Sequence, residues 1–235
     1  MTSERAQDRA PRHTSLLLLW LTVITGMVDA VSILGLGRVF VANMTGNVVF
    51  AAFALVGAPG FALRGSLLAL LGFVAGAAVV GRLVIGRVDE HQVLRAVLVL
   101  ELGLVSAALV LVALGRAPSG TATEVTTVLL AAGMGMQNAV VRHLAVPDLT
   151  TTVLTMAVTG LGADRLRTDV DRAVRRLGSV AAMFAGALVG GVLITHLGAD
   201  AALALVTVML LGATIAASRR PIAAVRRRRP PRADM

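Results

Sequence analysis

The chain has 235 residues, 57% of them hydrophobic and 15% charged, with a mean hydropathy of +0.84; a soluble domain carries about 25% charge, so this is the composition of an integral membrane protein. The absence of cysteine excludes a disulfide framework, a thiolate metal site and cysteine catalysis. All 22 basic residues are arginine and the formal charge is +9, yet most of these arginines flank apolar stretches, which points to membrane orientation rather than nucleic acid.

Residues 1–15 read as a cytoplasmic tail with Arg5, Arg9 and Arg12. The apolar run from Leu16 to Leu36 follows. Its start fits a signal-peptide pattern, with Val28-Asp29-Ala30 as a loose cleavage site, but the run continues past Asp29 and further spans follow, so an uncleaved first helix is expected. Spanning helices, which need about 20 apolar residues, are also expected over Leu63 to Ile85, Leu94 to Leu114, Val125 to Val141, Leu177 to Leu197 and Ala201 to Ala217. Two more segments are broken by polar residues: Val39 to Val56, with Asn43, Thr45 and Asn47, and Leu149 to Leu161, with Thr150, Thr151, Thr152, Thr155 and Thr159. Residues 219–235 carry seven arginines and three prolines and are expected to stay disordered on the cytoplasmic side. Such a polybasic tail reads as a contact for anionic lipid headgroups or, more simply, as a topogenic charge cluster; no aromatic residues interleave with it to stack on bases. The fold class is an all-α polytopic membrane bundle.

Gly26-Met27-Val28-Asp29-Ala30-Val31 recurs as Gly135-Met136-Gln137-Asn138-Ala139-Val140, and Gly76-Ala77-Ala78-Val79-Val80-Gly81 recurs as Gly186-Ala187-Leu188-Val189-Gly190-Gly191. Met44-Thr45-Gly46-Asn47 aligns with Leu154-Thr155-Met156-Ala157 between them. Three blocks in order suggest two repeated halves, 16–115 and 116–218. If all eight segments cross, 17 arginines lie inside and 5 outside; if the two polar-broken segments enter and leave on one side, six helices cross and the split becomes 19 to 3. Both arrangements put the termini in the cytoplasm. Six crossings would make the halves inverted, a recurring plan of secondary transporters.

Asp29 lies near the middle of the first span, where a charge costs about 2.5 to 3.5 kcal/mol. It could bind a proton or cation, tie helices together through Asn138 or the threonines, or be neutral. Glu101 lies about two turns into its span, within reach of water, and reads as structural. Asn43-Met44-Thr45-Gly46-Asn47 gathers two amides and a hydroxyl around a glycine that permits a non-helical backbone. Half-helix N-termini there and after Pro147-Asp148 would suit an anion. The alternative is that these polar groups only bond neighbouring helices. Gly72 with Gly76, and Gly186 with Gly190, read as a packing seam between the halves. Arg142, His143 and His196 belong at helix ends, and the four scattered histidines include no metal-binding pattern. Asp164 to Arg176 reads as a solvated cytoplasmic helix.

The blocks Gly26-Met27-Val28-Asp29-Ala30-Val31-Ser32, Phe40-Val41-Ala42-Asn43-Met44-Thr45-Gly46-Asn47 and Gly135-Met136-Gln137-Asn138-Ala139, together with the chain length, resemble the bacterial YoaK-type membrane family of unknown function. Where such proteins read Thr-Gly in the second threonine segment, this chain has Thr155-Met156. The resemblance implies a protein of the bacterial cytoplasmic (inner) membrane and supplies no activity or site. From the residues themselves the expectation is a transporter or channel for a small polar or ionic solute, contacted by Asp29, Asn43, Thr45, Asn47, Asn138, Thr152 and Thr155. The alternative is a non-transporting membrane scaffold or assembly factor. No nucleophile and base pair, cofactor site or metal ligand set is recognisable, so no enzyme is expected.

Overall fold

A computed structural model describes residues 12–84, 90–115, 120–144, 158–159 and 170–219, and among these residues every regular element is helical. The elements are α1 (Arg12–Gly35), α2 (Met44–Leu55), α3 (Leu63–Val79, continued by a π-turn over Val80–Val84), α4 (Glu90–Ala113), α5 (Thr121–Leu144), α6 (Val170–Leu197) and α7 (Ala199–Arg219). At 1.5 Å per residue a 24-residue helix is about 36 Å long, enough for a hydrocarbon core of about 30 Å, whereas the 12 residues of α2 reach only about 18 Å.

Among the described residues, five stretches are long and apolar enough to cross a membrane: His13–Gly35, Leu63–Arg82, His91–Ala113, Ala173–Leu197 and Ala199–Arg219. The expected span at Val125 to Val141 falls in α5, which is not among them although it has 24 residues. Its place in the bundle explains its composition. The face carrying Thr126, Thr127, Gly133 and Gln137 is buried against protein, so α5 presents less of itself to lipid than its neighbours do. Large side chains such as Leu71, Val74, Phe184, Leu188 and Val208 on the other helices point outward and are exposed, as lipid contact requires.

The most extensive contacts join α1 to α6 and α3 to α5; α4 packs on α5 and α7, and α7 on α1. Both principal contacts are made by glycine against backbone. A Cβ on Gly76 would overlap the Ala132 carbonyl and one on Gly135 the Phe73 carbonyl; one on Gly186 would overlap the Val23 carbonyl and one on Gly26 the Met183 carbonyl. Where apolar side chains gain nothing by leaving lipid, close backbone approach is a main source of helix attraction. The seam expected from Gly72, Gly76, Gly186 and Gly190 is therefore present, with Gly72 on Val128 and Gly190 on Met27. These contacts also fix direction. Gly72 meets Val128 and Gly76 meets Ala132, so α3 and α5 run parallel; Val23 meets Gly186 and Met27 meets Gly190, so α1 and α6 do too. An Arg64–Glu124 ion pair of 2.9 Å joins the first turns of α3 and α5, as parallel helices allow. Elsewhere the Trp20 indole N–H donates to the Met209 carbonyl at 3.0 Å, tying α1 to α7.

These contacts predict opposite outcomes for two glycine-to-alanine changes. Gly76→Ala drives a methyl group into the α5 backbone and should destabilise the protein by about 1–3 kcal/mol. Gly212→Ala, on α7 with nothing within 4 Å of the added Cβ, should be neutral or stabilising by up to about 1 kcal/mol through helix propensity. Thermal unfolding of the two purified variants in detergent reads the difference; equal midpoints would contradict the packing described.

Candidate functional site

The helix α1 ends where Gly37 and Arg38 take positive φ values of 89° and 60°. Glycine adopts that conformation freely, arginine only at a cost, and the pair turns the chain back along α1. Residues 36–43 are non-helical, and Leu36, Val39, Val41 and Ala42 among them are buried. Peptide groups there need partners from protein.

Asp29 supplies them. It lies six residues before the end of α1, roughly 9 Å along the axis, and is only 4% exposed. Its Oδ1 accepts the backbone N–H groups of Val41 (3.2 Å) and Ala42 (3.0 Å), and its Oδ2 accepts the Asn43 side-chain amide at 2.6 Å. Asn47 does the same for the next peptide: its Oδ1 accepts the Phe40 N–H at 2.9 Å and its Nδ2 donates to the Phe40 carbonyl. One carboxylate and one amide thus satisfy the backbone that the turn leaves bare.

Several sequence expectations change here. The tie from Asp29 runs to the returning loop, not to Asn138 or the threonines, and Asn138 donates instead to the Met134 carbonyl of its own helix at 2.9 Å. Symmetry between the repeated blocks suggested Asn138; the Gly37-Arg38 reversal brings a nearer segment to the carboxylate. Gly46 does not break the helix. It lies inside α2, where its missing side chain admits the Phe40 ring. The α2 N-terminus does exist as a half-helix start, and Asn43 at its cap position makes no capping bond; the anion held beside it is the chain's own Asp29. Thr45 is exposed, apart from the Asp29 cluster, while Thr152 and Thr155 lie outside the described residues. Of the candidate residues the structure brings together Asp29, Asn43 and Asn47.

The loop also lies against the start of α3. Val39 Cγ1 touches Gly65, and the Arg38 guanidinium reaches Gly60. Phe40 stacks on Phe50 with ring centroids 5.5 Å apart, and Phe50 meets Phe61 at 4.9 Å. Both ends of the α2 segment therefore meet beside Phe40.

Further buried polar side chains lie on α1, α4 and α5. Gln137 Nε2 donates to Thr25 Oγ1 at 3.0 Å. Glu101 is wholly buried, against the expectation that water reaches it, because α4 begins at Glu90 rather than near Leu94 and carries Glu101 deep into the span, facing Gly133. Gln137 had no signal in the sequence beyond its place in a repeated block. His196, Arg142 and His143 lie in last turns as expected, and among the described residues no three His, Cys, Asp or Glu side chains come together as a metal group.

The Asp29 hydrogen bonds predict a graded response. Asp29→Ala leaves two buried backbone N–H groups unpaired and should destabilise by about 2–5 kcal/mol, whereas Asp29→Asn keeps an acceptor for them, and the Asn43 amide can turn its oxygen toward the new NH2, so its loss should be about 1–2 kcal/mol. Unfolding midpoints in detergent test the order; an alanine variant as stable as the asparagine variant would refute the tie.

No solved structure matches the chain. Among curated proteins it is similar to the UPF0700 transmembrane protein YoaK of Bacillus subtilis (strain 168), 32% identical over 158 residues that cover 66% of this chain and 68% of that protein. The family model described as "Protein of unknown function (DUF1275)" matches residues 17–216. With its membrane-length helices and nearly its whole span matched, the chain belongs to the DUF1275 family of transmembrane proteins.

Proposed function

We propose that the protein is a transporter or channel for a small polar or ionic solute, built from two inverted halves of three crossings each in the bacterial cytoplasmic membrane, with both termini cytoplasmic. The observation that carries this reading is the exchanged packing. The helix α1 pairs in parallel with α6, and α5, its counterpart in the repeated blocks, pairs in parallel with α3, the counterpart of α6. The contacting residues correspond as well: Gly26 and Gly135 press on Met183 and Phe73, and Gly186 and Gly76 press on Val23 and Ala132, at offsets of 109 to 110. Two halves that each lend a helix to the other leave an interface at the midplane, the usual place for a transporter's site.

The α2 segment supports six crossings. Because Arg38 and Val39 lie beside Gly60 and Gly65, the start of α3 is on the same side as the end of α1, and α2 is too short to cross. It dips in and returns, as expected of a broken segment lining a protected cavity. The arginine split of 19 inside to 3 outside favours the same topology. Asn43 and Thr45 at the head of α2 are the solute contacts in this reading, with Asn138, Thr152 and Thr155 offered from the second half; Asp29 and Asn47 hold the segment in place. The basic tail contacts anionic headgroups.

Cysteine accessibility tests the topology on a chain with no native cysteine. Ala58→Cys should react with impermeant reagent only from outside and Gln92→Cys only from the cytoplasm; the reverse pattern would establish eight crossings. Uptake into sealed proteoliposomes tests the activity across a panel of ions, amino acids and small polyols. Movement of one class, reduced at least tenfold by Asn43→Ala or Thr45→Ala, is the expected result. Should nothing move, the scaffold reading replaces transport.

A further inference from the structure

One buried acid has no part in the arrangement above. Glu101 is the twelfth residue of the 24-residue α4, at the centre of the span, and it is 0% exposed. Among the described residues neither carboxylate oxygen has a hydrogen-bond partner, and the same is true of Gln137 Oε1 on α5. Gly133 of α5 rests against Glu101, with its position for a Cβ 3.3 Å from Glu101 Cγ. Gln137 follows Gly133 by one helical turn on the same buried face.

Among the described residues the surroundings offer no compensating charge. The buried face of α7, from Ala202 through Leu203, Val206, Met209, Leu210 and Ala213, is apolar. The buried face of α5 holds threonines and Gln137 but nothing titratable. The charged and titratable groups of these helices, Glu124, Arg142 and His143 on α5 and Asp200 and Arg219 on α7, belong to end turns. On α4 itself, Glu90, His91 and Arg95 lie within the first two turns, and Arg95 is about 9 Å from Glu101 along the axis. An isolated carboxylate is prohibitively costly at this depth. All three orphan atoms are oxygen acceptors, so what complements them is a positive charge and not an anion or a further acceptor.

We propose that Glu101, with Gln137 Oε1, binds one singly charged cation, a proton or an alkali ion, at the contact of α4 with α5, and that this is the coupling-ion site of the transporter; the coupling role, though not the binding, rests on the function proposed above. Asp29, the other buried acid among the described residues, already accepts three N–H donors and leaves that role to Glu101.

Thermal unfolding of the purified full-length protein in detergent tests binding without reference to any solute. N-methylglucamine is exchanged for Na⁺ or K⁺ at constant ionic strength, and the series is repeated from acidic to alkaline buffer. A ligand that binds only the folded state raises the midpoint with its concentration, by roughly 3 °C per tenfold once saturated. The expected result is a wild-type midpoint that rises with Na⁺ or K⁺, for an alkali ion, or that falls as pH rises, for a proton. Glu101→Gln should remove that response, Gln137→Leu should shift its half-point about tenfold toward higher cation concentration, and Glu124→Gln should leave it intact. If Glu101→Gln does not accumulate, Gln137→Leu carries the test by the same readout. Identical responses in wild type and in the folded variants would overturn the site. Loss of the response in Glu101→Gln, in a protein that moves no solute in vesicles, would uphold the cation site and end only its coupling role.

Discussion

Hydrocarbon offers no partner to a peptide N–H, and a chain that leaves the helix at membrane depth must carry its own. That constraint organises the first third of this protein. The Gly37-Arg38 turn ends α1 and sends residues 39–43 back down its side, where Asp29 and Asn47 accept and donate in place of water. The polar residues that make Val39 to Val56 look like a poor span are what allow a non-helical segment to exist there. Once the loop is pinned, α2 has a fixed starting point, and the aromatic cluster of Phe40, Phe50, Phe53 and Phe61 closes its far side.

The second organising force is backbone proximity. Leucine packing cannot distinguish protein from lipid, so the two principal contacts are made where glycine removes the side chain altogether. Each glycine meets a carbonyl or a Cα on its partner, and the tolerance at such points is small. The polar α5 fits this scheme. Threonines and an amide are admissible on a helix whose inner face touches only protein, and three of them bond back to their own helix or to α1.

Much of this was legible in the sequence. Five of the six expected spans follow from apolar length, the glycine seam from small-residue spacing, and the grouping of Asp29, Asn43 and Asn47 from polar groups misplaced in an apolar run. What was not legible was pairing. The repeat made Asn138 the natural partner for Asp29, because position in a repeated block is a one-dimensional cue, while the real partners are set by a reversal at two residues of unremarkable type. The burial of Glu101 escapes the sequence for a related reason: its depth depends on where α4 begins, and its cover on Gly133, 32 residues further on. Thr152 and Thr155 lie outside the described residues.

The exchanged pairing also has a temporal side. The partner face for Gly26 on α1 is the stretch of α6 around Gly186, about 160 residues later in the chain. At 5–20 residues per second, synthesis takes roughly 8 to 30 seconds to deliver it. Throughout that interval α1 stands in the bilayer with its small-residue groove open to lipid and to any passing helix. The returning loop, held within α1's own neighbourhood by Asp29, is complete long before then, so the clamp precedes the long-range seam in the nascent chain, and the Trp20–Met209 tie to α7 comes later still.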